Sequence, residues 1–213
     1  IRPRNDWSGM LPVPGNGDFE WHGVLPGNAL PRVFNPPEGY VATANEYNLP
    51  ANYPYKDMSA RTWAEPFRIQ RIREVVADGK GLTVQQSQDL QFDNLSIPAR
   101  TLGGYAKSLN SADAKVGEAL SLLKDWDYRM ATDSRAATVY AFWLPEVVKR
   151  VTDLYVPANG RAAFGELSTR KTLEKLATPD AAFGPRPDQG RDALLLQALA
   201  DGLTKLTAKM GPD

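Results

Sequence analysis

Nine of the 17 prolines, and 6 of the 17 glycines, fall within the first 60 of the 213 residues. Each proline fixes φ and removes a backbone donor, so no long helix can run through this stretch. The breaks at Pro12, Pro14, Gly15, Gly17, Pro26, Pro31, Pro36, Pro37 and Gly39 leave room only for short extended pieces. Residues 40–44, Tyr-Val-Ala-Thr-Ala, are aromatic and β-branched in character and read as a buried strand, and residues 32–34 as another. A segment so rich in turns buries little by itself and is expected to lie along a larger body.

From Trp63 the texture becomes helical. Phe67, Ile69, Ile72, Val75 and Val76 recur near a 3.6-residue period, and Gly79 and Gly81 stop that helix. Thr83 with Gln86 forms a capping-box pattern that opens a second helix. Residues 93–105 read as a third, with Pro98 tolerable only in its first turn. Ser111 is expected to cap a fourth, with Val116, Ala119, Leu120, Leu123 and Trp126 facing inward. Residues 134–154, 166–176 and 191–209 complete the series. The fold class expected is therefore mainly α: a Pro/Gly-rich, partly β lead over 1–60, then a helical subdomain over 61–213.

Composition narrows the function classes. The 25 basic and 25 acidic residues cancel, which removes the electrostatic case for nucleic acid or an anionic membrane surface. No run approaches the roughly 20 apolar residues of a bilayer span, while a 42% hydrophobic content supplies a core and rules out wholesale disorder. Cys is absent, so disulfides, thiolate metal sites and Cys nucleophiles are excluded. With His22 the single histidine, a histidine-built zinc site is excluded too. The opening Ile1-Arg2-Pro3-Arg4 is neither an initiator Met nor a signal peptide, so the chain is expected to be part of something larger.

No self-contained active site emerges from residue spacing. His22 lies beside Trp21 in an aromatic setting and reads as packing or surface. Asp125 and Asp127 flank Trp126 and share no helix face, which makes them a solvated surface around a buried ring, not a coupled carboxylate pair. Arg68, Arg71 and Arg73 read as a solvent-facing, salt-bridged cluster, and without interleaved aromatics they are no nucleic-acid signature. Gly15 and Gly17 lack the strand-to-helix context of a phosphate loop. Composition and spacing alone end at a mostly helical protein.

The order of particular residues goes further. Leu11-Pro12-Val13-Pro14-Gly15-x-Gly17 is followed by Trp21-x-Gly23, Leu25-Pro26 and Leu30-Pro31. Then come Asn35-Pro36-Pro37-x-Gly39-Tyr40, Ala42-Thr43-Ala44-Asn45 and Asn52-Tyr53-Pro54-x-x-Asp57, with Arg68 in the helix beyond. This pattern resembles the β-chain of penicillin amidases, which are N-terminal-nucleophile hydrolases. Leu90-Gln91-x-Asp93-x-x-Ser96 and Leu123-x-x-Trp126-Asp127 extend the resemblance, which is weaker after about residue 130.

The resemblance implies a fragment of an α/β/β/α fold and part of an acylase that hydrolyses an amide between an acyl group and an amine. The substrate would be a β-lactam side-chain amide or an N-acyl homoserine lactone. In that family a Ser at the β-chain N-terminus attacks the carbonyl and its own α-amino group acts as base, so no histidine is needed. This chain starts at Ile1, and Ser8 is internal, so the isolated chain is expected to be inactive and to need the rest of the acylase as partner. Asn45 matches the oxyanion-hole Asn and Arg68 an Arg that orients the site; without the family pattern Asn45 reads as an Asn ending a strand at a turn, and Arg68 reads equally as a helix-surface Arg. Glu46 departs from the family, where a second Asn is common. Asp57 matches a calcium ligand and Gly9 a ligating backbone carbonyl, implying structural calcium in the complete protein; Asp57 also suits a helix N-cap. Trp63, Phe67 and Trp143 are offered as linings of an acyl pocket. Such acylases are commonly exported, so the resemblance implies a periplasmic or secreted location. The competing possibility is a non-catalytic helical binding or scaffold module.

Overall fold

Helix starts follow from side-chain capping. The structure, a computed structural model, describes residues 11–20, 23–55, 63–78 and 81–211. Helix α1 spans Phe67–Asp78 and α2 Val84–Gln91. Thr83 caps α2 with the full capping box: its Oγ1 accepts from the Gln86 N–H, and the Gln86 side chain accepts from the Thr83 N–H. Helix α3, Ile97–Ala106, starts four residues later than the period places it, because Ser96 caps it and Pro98 must sit in the first turn. Helix α4, Ala114–Lys124, is capped by Asp113, whose carboxylate accepts from the N–H groups of Lys115 and Val116. The expected cap, Ser111, instead accepts from the Asp113 N–H, one step upstream. Ser134 caps α5, Arg135–Tyr155, and Ser168 caps α7, Thr169–Ala177. A single-turn α6, Arg161–Phe164, and the long α8, Pro187–Met210, complete the set.

The strands expected in the lead do not form among the described residues. Residues 40–44 and 32–34 pair with no ladder. Among the described residues an isolated antiparallel bridge joins Leu95 to Arg129, both outside the lead. A strand exists only with a partner, and the Pro/Gly-punctuated segments on either side of 40–44 offer none.

The chain divides into two compact units, 1–80 and 81–213. Helix α1 therefore belongs with the Pro-rich lead, although the sequence turns helical in texture from Trp63.

In the second unit α5 and α8 form the most extensive helix pair. Their backbones come close at Gly202, where a Cβ would lie 2.8 Å from the Phe142 carbonyl oxygen. Trp143 is 0% exposed, and its indole N–H donates to the Leu195 carbonyl at 3.0 Å. Val147, Val151, Leu195 and Leu199 are buried in the same core. Truncating a buried Trp of this kind costs roughly 3–5 kcal/mol. Polar side chains fasten the pair at its margins: Lys205 to Glu146, and Arg150 to Asp201 with Nε 2.9 Å from Oδ2. Trp126 is buried, its indole N–H donating to the Arg129 carbonyl at 3.0 Å, while Asp125 and Asp127 stay exposed. Burial holds the Tyr140 hydroxyl protonated, pushing its pKa up to about 12 against the opposing bond with Ser96.

Candidate functional site

Within the first unit, the turn over residues 44–46 is held from several sides. Asn45 has φ +64°, in the left-handed region that Asn tolerates better than most residues. Its carbonyl accepts the Ala64 N–H at 2.8 Å, tying the turn to the segment that enters α1. At about 100° per residue, Arg68 and Arg73 lie about 140° apart around that helix, with Ile69 and Ile72 between them. Ile69 is buried, and the two arginines reach the turn past it.

Arg68 Nη2 lies 2.9 Å from the Ala44 carbonyl oxygen and 2.9 Å from Asn45 Oδ1. One guanidinium nitrogen carries two protons, enough for both acceptors. Arginine accepts nothing, so the Asn45 atom it meets is the oxygen, and this fixes which way the amide points. The Asn45 side chain is exposed, and among the described residues no acceptor engages its Nδ2. The result is an N–H donor of set orientation, open to a ligand and polarised by a cation on its oxygen side.

Glu46 is 5% exposed. Its Oε2 accepts the Ala44 N–H at 2.7 Å, and Oε1 is 3.5 Å from Arg73 Nη2. Nearby, Tyr47 meets Trp63 edge-on at 5.4 Å between ring centroids.

The structure thus joins Asn45 and Arg68, which the sequence singles out separately. It adds Glu46 and Arg73 to them. Arg71 and Arg73 are salt-bridged, as the sequence suggests: Arg73, exposed over most of its length, meets the Glu46 carboxylate, and Arg71 pairs with Glu74 at 3.3 Å. No sequence signal marks the Glu46–Arg73 pair, because the partners are far apart along the chain. Trp143 is removed from the acyl-pocket candidates by its place in the α5–α8 core. Trp63 and Phe67 are half-buried and keep an accessible surface. Asp57, Gly9 and His22 lie outside the described residues. Among the described residues, no group of three His, Asp or Glu side chains is placed to hold a metal ion. No described helix is long and apolar enough to cross a membrane.

The profile of the penicillin amidase family matches residues 1–213. The chain belongs to the penicillin amidase family. It is 33% identical to the penicillin acylase 2 proenzyme of Pseudomonas sp. strain SE83 over 153 residues, covering 71% of this chain and 19% of that protein. It is 30% identical to the penicillin G acylase of Escherichia coli over 161 residues, covering 69% of this chain and 19% of that protein. The acyl-homoserine lactone acylase QuiP of Pseudomonas putida is 28% identical over 236 residues, covering 99% of this chain and 29% of that protein. This penicillin amidase segment therefore spans 19–29% of the length of these curated relatives.

Proposed function

We propose that this chain supplies the oxyanion-stabilising part of the active site of an acylase that cleaves the amide between an acyl group and an amine. The observation that carries this is the Arg68 clamp on Asn45 Oδ1 and the Ala44 carbonyl, at 2.9 Å each, which leaves Asn45 Nδ2 as a preset donor. When a nucleophile attacks an amide carbonyl, negative charge develops on its oxygen. A donor oriented in advance stabilises that charge without reorganising, and removing one such donor costs on the order of 100- to 1,000-fold in kcat. Asn45 donates to the oxyanion. Arg68 holds the amide and strengthens its N–H by polarising it.

The nucleophile in this reading is an N-terminal Ser of the parent protein, outside these 213 residues, with its α-amino group as base. The single histidine of the chain is in keeping with a mechanism that needs none. The isolated chain is then inactive, and turnover of a chromogenic phenylacetyl amide by residues 1–213 alone contradicts this. The chain is a fragment of an α/β/β/α hydrolase in the same reading, with residues 40–44 gaining a strand partner from the remainder. Val24 and Phe34, each 87% exposed, support a missing neighbour. β-Lactam side-chain amides and N-acyl homoserine lactones are the two substrate classes proposed, after the names of the relatives. A periplasmic or secreted location and structural calcium at Asp57 and Gly9 rest on the family resemblance, and no step of the reaction is routed through the metal.

The test is the intact mass of the full-length gene product after expression. Two chains, one beginning with Ser, are expected. A single uncut chain contradicts the self-processing acylase and favours a scaffold.

A further inference from the structure

Glu46 is a carboxylate buried without full compensation. Only 5% of the residue is exposed, and Oε1 is buried with no hydrogen bond, its nearest cation being Arg73 Nη2 at 3.5 Å. Burying a charge this way is costly unless it is paired and bonded. An aliphatic side chain at this position would avoid that cost, so the carboxylate calls for an explanation.

Its bonds supply one. Oε2 takes the Ala44 N–H at 2.7 Å, while Arg68 takes the Ala44 carbonyl at 2.9 Å. The residue before Asn45 is thereby held at both of its polar backbone groups. Asn45 is itself held at its carbonyl by the Ala64 N–H and at Oδ1 by Arg68. Through Arg73 and Arg68, the two ends of this clamp are anchored on the same helix, α1. Glu46 also occupies Arg73, which has no other ion-pair partner among the described residues.

We infer that Glu46 is a positioning residue: its carboxylate fixes the 44–46 turn so that the Asn45 amide stays aimed at the oxyanion. This rests on the oxyanion role proposed for Asn45. Glu46 touches no reacting atom in this account and acts through Asn45 alone. Because the clamp sets orientation and not substrate affinity, its loss reaches kcat and leaves KM unchanged. A misplacement of about 1 Å at a reacting centre can cost on the order of 100-fold.

The test uses the complete enzyme, with rates expressed per mole of cleaved protein and a chromogenic phenylacetyl amide as probe. Glu46→Ala is expected to lower kcat on the order of 10- to 100-fold with KM within about twofold. Glu46→Gln keeps an oxygen for the Ala44 N–H and is expected to recover most of that loss. In an Asn45→Gly background, Glu46→Ala is expected to change kcat less than about twofold, because the group it positions is already gone. Unchanged kcat in Asn45→Gly overturns the oxyanion role and this inference with it. A fall in Asn45→Gly alongside unchanged kcat in Glu46→Ala overturns the positioning role alone. So does an additive effect in the double variant, or a Gln variant that is uncleaved or as slow as Ala.

Discussion

Arg68 and Asn45 are 23 residues apart, yet a single guanidinium nitrogen bridges the Asn45 side-chain oxygen and the Ala44 carbonyl at 2.9 Å each. The contact makes the orientation of an exposed amide a property of helix α1. Arg68→Ala in the complete enzyme frees that amide to rotate, and kcat is expected to fall on the order of 10- to 100-fold. Arg68→Lys restores the charge but not the planar fork, and recovers only part of the rate. Steady-state kinetics of both variants check this, and full activity in Arg68→Ala contradicts it.

The α5–α8 contact makes a separate demand at Gly202. A Cβ there would lie 2.8 Å from the Phe142 carbonyl oxygen and 3.0 Å from its carbon. Backbone yields less readily than a side-chain tip, so Gly202→Ala is expected to destabilise by roughly 1–3 kcal/mol. Thermal unfolding is the readout, at about 2–4 °C per kcal/mol for a chain of this size. An unchanged midpoint shows that the helices part without cost.

Acid stability is expected to depend on Asp201. Burial pushes its carboxyl up, but bonds from Arg150 and Gln197, with the Arg150 and Lys205 charges, outweigh this and hold it below its ordinary value of 3.8. A carboxyl lowered in the native state stabilises the fold when ionised. That contribution is complete above the unfolded value and is lost as pH falls through the native one. Chemical denaturation across about pH 2 to 6 is expected to show a shallower acid slope for Asp201→Asn than for wild type. Parallel curves contradict the assignment.

The exposed apolar side chains of the lead predict the behaviour of the isolated chain. Val24 and Phe34 are each 87% exposed, and Val41 is 63% exposed. The isolated chain is expected to associate at high concentration and to bind a hydrophobic dye, both reduced in Phe34→Lys with no change in the unfolding midpoint. Light scattering and dye fluorescence measure this, and a monodisperse wild-type chain contradicts it.

The helical unit was largely legible in the sequence because its signals are local. Ser134 and the Thr83–Gln86 box lie within a turn of what they cap, and the Val116-Ala119-Leu120-Leu123 stripe appears directly in the spacing. The exceptions have local causes as well: Asp113 displaces Ser111 because its carboxylate reaches two N–H groups at once. The lead was harder to read. Residues 40–44 have strand composition, but a ladder depends on a partner that local sequence does not contain. The site divides in the same way. Asn45 and Arg68 came from an ordered pattern of motifs, whereas Glu46 and Arg73 meet only through the fold, and Trp143 has the composition of a pocket wall but the burial of a core.

The most direct measurement is kcat for hydrolysis of an acyl amide by the complete enzyme carrying Asn45→Gly. Glycine accepts the φ of +64° at this position, so the turn survives and only the side-chain amide is lost. A fall in kcat on the order of 100-fold is expected, with KM little changed. A kcat equal to wild type would remove Asn45 from the reaction and, with it, the role proposed for this chain.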